Sequence, residues 1–314
     1  MKIRIGTRGS KLALWQAHYV EQKLKAHNIG TEIVIIDTKG DKILDRALSK
    51  IGSKGVFTEE LEEQLRKGKI DIAVHSAKDL QSELSDDLEL IAFTEREQAN
   101  DVLVSYTKNL ALKNGKSFII GTSSTRRVAM LKHYYPHIRI VDMRGNLQTR
   151  LRKLEEGQCD ALLLAYAGVH RMGYDDLIIE QLSPTEFVSP VGQGCVAIEA
   201  AKSLADDKRA IIRELINDTD TEICLLTERA YLRRLQGGCS IPSFGRVMLV
   251  KDEEGNAHLK MTAGLISLDG QKLIKVIEEG ALTEGEQLGI NVAENVLANG
   301  GTEILQSIKE SLHS

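Results

Sequence analysis

Short apolar runs and amphipathic stripes alternate along the first half of the chain. Ile3 to Gly6 and Glu32 to Ile36 read as strands, and between them Ser10 to His27 places Ala13, Ala17, Val20 and Leu24 at helical spacing. Two strands flanking a helical stripe make a βαβ unit and predict a parallel sheet. Gly40 to Gly55 has three glycines, several lysines and little period, so it is expected to be a long loop of the kind that covers a site. A helix is predicted from Phe57 to Lys67, with Glu59, Glu60, Glu62 and Glu63 early, Arg66 and Lys67 late, and Gly68 as the stop. The apolar run Ile70 to Val74 follows as a strand.

The same grammar restarts near Asn100. Strands are predicted at Val102 to Val104, Ser117 to Ile120, Ile138 to Val141 and Asp160 to Leu164, with helices at Thr125 to Tyr135 and Asn146 to Glu156. The two units echo each other: Ile5-Gly6-Thr7 and Ile120-Gly121-Thr122 each end a strand and lead through a polar turn into a helix. Beyond Asp218 the pattern changes. Thr219-Asp220-Thr221-Glu222 has the form of a capping box, opening a helix with Ile223, Leu226 and Ala230 on one face and Gly237-Gly238 at its end. Strand-like runs at Gly245 to Val250, His258 to Ala263, Leu265 to Leu268 and Lys272 to Ile277 then precede two final helices, which predicts a separate α+β domain.

Length alone, 314 residues, suits two domains or three small ones. A content of 42% hydrophobic and 27% charged residues is that of a globular chain. Forty-one Lys+Arg against 45 Asp+Glu leave a formal charge of −4, which argues against general affinity for nucleic acid or an anionic membrane. Around Ala161 to Val169 the longest apolar stretch is about half of the ~20 residues that a spanning helix needs. Met1 to Ile5 alternates charge with apolar residues and shows no secretory h-region, so the expected compartment is the cytoplasm. Cys159, Cys195, Cys224 and Cys239 share no metal or disulfide spacing.

Polar clusters fall at the carboxyl ends of the predicted strands, where α/β sheets bind ligands. They are Arg8 and Ser10, then His75-Ser76-Ala77-Lys78-Asp79, then Thr122 to Arg127, then Arg144-Gly145-Asn146. From Thr122 to Lys153 eight basic residues meet one acid, Asp142. Arg126 and Arg127 stand in the first turn of their helix, where cations are disfavoured, so either a bound anion or a solvated basic face accounts for them. Asp79 reads as a turn cap on position alone. Cys239, between Gly237-Gly238 and Ser240-Ile241-Pro242, is the thiol most exposed to chemistry, whereas Cys159 and Cys224 have core surroundings. Gly192-Gln193-Gly194-Cys195-Val196-Ala197 matches a dinucleotide pattern but leads into a strand, and Gly115-Lys116-Ser117 lacks the first glycine of a phosphate loop. His133 and His137 are split by Pro136, so no metal site is expected there.

Taken together, Thr7-Arg8-Gly9-Ser10-Lys11-Leu12-Ala13, Lys54-Gly55-Val56-Phe57, His75 to Asp79, Gly121 to Arg127, Arg144-Gly145-Asn146, His170-Arg171-Met172-Gly173, Val191 to Gly194 and Gly237 to Pro242 resemble the porphobilinogen deaminase (hydroxymethylbilane synthase) family in order and spacing. Ala77, Leu80, Gly9 and Thr125 depart from its usual residues without removing a charged or nucleophilic group. The resemblance implies an α/β fold with two periplasmic-binding-protein-like domains, residues 1–96 with 190–215 and residues 100–188, enclosing a cleft. A smaller α+β domain, residues 218–314, would carry Cys239.

By the same resemblance, Cys239 bears a dipyrromethane cofactor through a thioether. Four porphobilinogen molecules add to it with loss of ammonia, each through an azafulvene, before hydrolysis releases hydroxymethylbilane. Asp79 is the implied catalytic residue. Arg8, Ser10, Phe57, Lys78, Thr122, Ser124, Arg126, Arg127, Arg144, Arg150, Arg171 and Gln193 are the implied cofactor and substrate contacts, and Lys50 and Lys54 lie on the closing loop. The implied partner is porphobilinogen, with no nucleic acid, no membrane and no metal, and the expected state is a monomer. A non-catalytic anion-binding module sharing the same cleft is the alternative, and it would need no Cys239.

Overall fold

In the computed structural model, which describes residues 1–38, 58–236 and 241–313, the strand-forming runs assemble into three sheets. The first contains β1 (Lys2–Thr7), β2 (Gly30–Ile35), β3 (Ile72–Ser76), β4 (Leu88–Phe93) and β10 (Val196–Ala201), in the order β2-β1-β3-β10-β4. In it, β1 runs parallel to β2 and β3, whereas β10 is antiparallel to β3 and β4. The second contains β5 (Asp101–Val104), β6 (Ile119–Gly121), β7 (Arg139–Val141), β8 (Ala161–Ala165) and β9 (Ile178–Gln181), in the order β7-β6-β8-β5-β9. Here β6 is parallel to β7 and β8, and β5 is antiparallel to β8 and β9.

Both sheets therefore share one plan. Three parallel strands lie in the order second, first, third; an antiparallel strand comes next and one more strand forms the edge. The antiparallel strand is in each case the first to arrive after the chain has crossed from the other sheet, β5 after residues 94–100 and β10 after residues 189–195. The crossovers run side by side, with Thr94 N–H donating to Val196 O (3.0 Å) and Glu97 N–H to Gly194 O (3.1 Å). The Ile-Gly-Thr echo lies in matching places, since β1 and β6 are the second strands of their sheets.

Helices form where apolar spacing and caps agree. In α1 (Lys11–Lys25) the stripe Ala13, Ala17, Val20 and Leu24 is buried, the last three against Ile3, Ile5, Ile72 and Val74, and the Ser10 Oγ caps the helix by accepting from Ala13 N–H. Each Val or Leu so buried contributes roughly 1.5–3 kcal/mol. Across the sheet, α2 (Glu59–Arg66) packs Leu61 and Leu65 on Ile70 and Ala73. In the second unit, α3 (Thr125–Tyr134) is capped by the Ser124 Oγ at Arg127 N–H, and α4 (Leu147–Glu155) by the Asn146 side chain at Thr149 N–H. A short α5 (Tyr166–Arg171) and α6 (Asp206–Ile216) complete the two layers.

The C-terminal unit is an antiparallel meander, β11 (Ser243–Lys251), β12 (Ala257–Ile266) and β13 (Leu273–Gly280), covered by α7 (Thr219–Arg234) and α8 (Gly285–Val296), with α9 (Thr302–His313) last. The two runs expected at 258–263 and 265–268 are one strand passing through Gly264. The cap of α7 is Asp218, one residue before the expected box, because Glu222 turns instead to Arg213 and Asn217. Its predicted apolar face holds at Ala230, which is buried, and at Ile223, which packs on the core, but is corrected at Leu226. Leu226 is 45% exposed, while Cys224, Leu225, Glu228 and Tyr231 point inward. The reason is a buried polar junction. Glu228, fully buried, accepts from Arg96 of the first crossover (2.5 and 3.2 Å), from Gly192 N–H of the second (2.9 Å) and from Val247 N–H of β11 (2.8 Å). One carboxylate thus ties the C-terminal unit to both crossovers.

Candidate functional site

The carboxyl ends of the parallel strands hold the polar side chains. After β1, Arg8 and Ser10 join Gln16, Ser76 and Asp79 around a pocket of about 60 Å³. Gln16 donates to the Ser76 Oγ (2.8 Å), fixing one wall. A tight 3₁₀ turn, Ala77–Asp79, leaves β3 and presents Lys78 and Asp79.

Lys78 faces the second unit. Its Nζ lies 3.5 Å from the Gln193 Oε1, with no carboxylate of the described residues within ion-pair distance. Burial pulls the ammonium down to about 8. Asp79 and Asp101 oppose that fall, while the guanidiniums of Arg127 and Arg150 add to it. Arg150 donates to Gly145 O (2.7 Å) and is itself drawn down to about 10, first by burial and then by Arg127, with Arg144 adding to it. Lys78, Asp79, Arg127, Arg144 and Arg150 thus form one electrostatic cluster between the two sheets.

The arginine pair at the start of α3 has its counter-ion inside the protein. Asp101, fully buried on β5, accepts from Arg126 through Oδ2 (2.7 Å) and from Arg127 through Oδ1 (2.7 Å). Burial by itself would push the Asp101 carboxyl up; the two guanidiniums overcome that and hold it well below the usual carboxylate range. Arg126 also donates to Val188 O (2.9 Å) and Arg127 to Leu163 O (3.1 Å). The anion that their helix position demands is therefore Asp101, which corrects the expectation of a bound one. Nor does the whole basic segment face the cleft. Lys132 donates to Leu268 O, Lys153 to Arg144 O, and Arg152 stands near Glu156 at the surface. Asp101 escaped notice in the sequence because a lone acid opening an apolar strand carries no local signal.

The second crossover organises the rest. Gly192 and Gly194 have φ of +77° and +90°, and a Cβ at Gly192 would lie 2.8 Å from Ala77 C and Lys78 N. Only glycine lets this backbone press against the Lys78-Asp79 turn. Between them Gln193, 1% exposed, donates to Ala99 O (2.6 Å) and to the Asp101 Oδ1 (2.9 Å). Arg171 donates to Gly194 O (2.7 Å) and its guanidinium lies over the Trp15 ring, 5.2 Å from the centroid. That contact joins α1 of the first unit to α5 of the second.

Thr122 and Ser124 occupy the turn before α3, where the Thr122 Oγ1 accepts from Ser124 N–H (3.3 Å). Phe57, Lys50, Lys54 and Cys239 lie outside the described residues. The other thiols, Cys159, Cys195 and Cys224, are buried, and burial pushes each of them up, Cys159 and Cys224 to about 11 and Cys195 to about 12. His133 and His137 direct ring nitrogens at Gly270 O (2.7 Å) and Leu112 O (3.2 Å). Among the described residues no helix is long and apolar enough to cross a membrane.

These features define a two-unit α/β protein with a cation-rich cleft and a third unit docked on its crossovers. Residues 3–210 match the family described as "Porphobilinogen deaminase, dipyromethane cofactor binding domain", and residues 222–298 match "Porphobilinogen deaminase, C-terminal domain". Porphobilinogen deaminase of Cytophaga hutchinsonii is 56% identical over 310 residues, 99% of this chain and 98% of that protein. That of Desulfosudis oleivorans is 54% identical over 311 residues, 99% of each chain. The periplasmic aliphatic sulphonate binding protein of Escherichia coli aligns at 15% identity over 75% of this chain and 70% of that one, with a TM-score of 0.39.

The chain belongs to the porphobilinogen deaminase family, the hydroxymethylbilane synthase transferases of tetrapyrrole biosynthesis, and carries that family's dipyrromethane-binding domain. The site suits such a group. Dipyrromethane bears several carboxylates and two pyrrole N–H groups. In the cleft, among the described residues, the buried Arg144 Nη1 has no hydrogen-bond partner, and Lys78, Arg144 and Arg150 have no carboxylate in ion-pair distance, while Asp79 offers an acceptor.

Proposed function

We propose that this chain condenses four porphobilinogen molecules, head to tail, on a dipyrromethane primer held by a thioether at Cys239, and releases linear hydroxymethylbilane by hydrolysis, with ammonia as by-product. The observation that carries the reading is the charge cluster of Lys78, Arg127, Arg144 and Arg150 beside Asp79, between two sheets that are linked by paired crossovers. For the domains we adopt residues 1–96 with 190–215, residues 100–188, and residues 218–314. The exchange of β5 and β10 between the sheets supports that division.

Porphobilinogen carries an acetate and a propionate, so a growing chain accumulates carboxylates. Arg8, Arg144, Arg150 and Arg171, with the Lys78 ammonium, pair them, and guanidinium forks favour that planar partner. Arg126 and Arg127 contribute the charge that Asp101 leaves uncancelled. Ser10, Thr122 and Ser124 supply hydroxyls at helix N-termini, where N–H groups attract anions. The family resemblance assigns Phe57 a stacking role on a pyrrole and Lys50 and Lys54 a place on the closing loop; all three lie outside the described residues.

In each turn the C–N bond to ammonia breaks, a C–C bond forms between rings, and the displaced ring hydrogen leaves as a proton. The Asp79 carboxylate accepts from the pyrrole N–H, stabilises the positive charge that develops as ammonia departs, and takes up the proton. When bound, the dipyrromethane supplies the free ring α-carbon that takes the incoming unit. The reading extends to a cytoplasmic monomer in the supply of heme. Its support is the −4 overall charge and the scatter of exposed apolar residues such as Ile35, Tyr106, Met248 and Ile277.

Two measurements test the proposal together. The purified protein should release ammonia from porphobilinogen, and its intact mass should exceed the sequence mass by two pyrrole units. Cys239→Ala should fold, lack the excess mass and release no ammonia. Unmodified protein at its bare sequence mass refutes the primer.

A further inference from the structure

Gln193 has its amide fully committed to the protein. A glutamine side chain offers two N–H donors and one carbonyl with two lone pairs. Here the donors go to Ala99 O (2.6 Å) and the Asp101 Oδ1 (2.9 Å), and the carbonyl faces the Arg127 Nη2 (3.4 Å) and the Lys78 Nζ (3.5 Å). At 1% exposure it has neither spare valence nor surface with which to meet a ligand. Each partner comes from a different part of the fold: Lys78 from the turn after β3, Ala99 from the first crossover, Asp101 from β5 and Arg127 from α3. We propose that Gln193 is a positioning residue, an uncharged bridge that sets the separation of Lys78 and Arg127 across the two units and so fixes where substrate carboxylates are received. The proposal rests on the function given above and deepens it.

The two-faced amide suits this position for a physical reason. Two cations converge on one side and a carboxylate with a carbonyl on the other, so a donor-only group would repel the first side and an acceptor-only group the second. The neighbouring glycines set the approach, because Gly192 presses on the Lys78 turn and Gly194 on the backbone of Glu97. A carbonyl dipole aimed at an ammonium favours its charged form. Lys78 is also faced by Asp79 on its own turn, Asp101 on β5, Arg127 on α3 and Arg150 on α4.

The test compares the cofactor-loaded protein with Gln193→Met, which keeps length and volume and removes the dipole. Proton titration of Lys78 is read from its ¹³Cε resonance in ¹³C-lysine protein, and the midpoints of the two proteins are compared. In Gln193→Met the midpoint should fall, and kcat/KM for porphobilinogen should drop about tenfold or more. Mere loosening of the crossover would hydrate Lys78 and move the midpoint up, so an unchanged or raised midpoint overturns the proposal. Should Gln193→Met fail to fold, hydrogen exchange of the Gln193 side-chain NH₂ in the unmodified protein decides instead: protection supports the bridge and exchange at the rate of free glutamine overturns it. A protein that releases no ammonia while its Lys78 midpoint follows Gln193 loses the reaction but keeps the bridge.

Discussion

Replacing Asp101 by Asn removes one charge and leaves two buried guanidiniums facing a neutral amide. Asp101 is fully buried, receives Arg126 and Arg127 at 2.7 Å each, and also takes Gln193 at 2.9 Å. Removing one partner of such a pair costs about 3–5 kcal/mol, chiefly because uncompensated charge stays buried. Asn can still accept from one guanidinium, which places the loss near the lower end, about 3 kcal/mol. At about 2–4 °C per kcal/mol for a cooperative body of about 150–250 residues, the size of the two α/β units together, Tm should fall by about 6–12 °C at pH 7.

The pH dependence adds a second constraint. The folded state lowers the carboxyl, so its stabilisation is present above the ordinary carboxylate range and is lost only as pH falls through the depressed folded value. Thermal unfolding followed by circular dichroism from pH 8 to pH 5 should therefore show a constant gap between Asp101→Asn and the unmodified protein. Adding Arg126→Met should recover part of the loss, because one unpaired cation goes with it. A Tm difference below about 2 °C at pH 7, or a gap that closes between pH 7 and pH 5, would refute the reasoning.

Asp79→Ala should keep the two-pyrrole mass yet lose turnover by about 10²–10⁴-fold in single-turnover ammonia release; near-normal rates would remove Asp79 from the chemistry. Gly192→Ala should lower turnover more than stability. Its Cβ would stand 2.8 Å from the backbone that carries Lys78, at a φ of +77°. Steady-state kinetics alongside thermal unfolding tests it, and equal loss in both would make Gly192 a stability position only.

Much of the architecture could be read from local pattern. The α1 stripe and the polar clusters after β1, β3 and β6 need only neighbouring residues, because helix period and strand ends are short-range properties. The edge strands β4 and β9 went unread, since Leu88–Phe93 and Ile178–Gln181 have no alternation that separates them from loop. On α7 the inward face includes Glu228 and excludes Leu226, an arrangement that apolar spacing cannot reveal because its cause is an ion pair with Arg96, 132 residues away.

The sequence by itself determined the family, the two repeated α/β units, the C-terminal unit and the set of polar residues at strand ends. Tertiary structure alone decided how charge is shared among them. Arg126 and Arg127 look like two free cations along the chain, yet Asp101 claims both; Gln193 looks like part of a glycine-rich loop, yet it joins Lys78 to Arg127. The reason is physical: the strength and sign of an electrostatic interaction depend on distance and burial, and folding brings together groups far apart along the chain, Lys78 and Gln193 across 115 residues and Arg96 and Glu228 across 132.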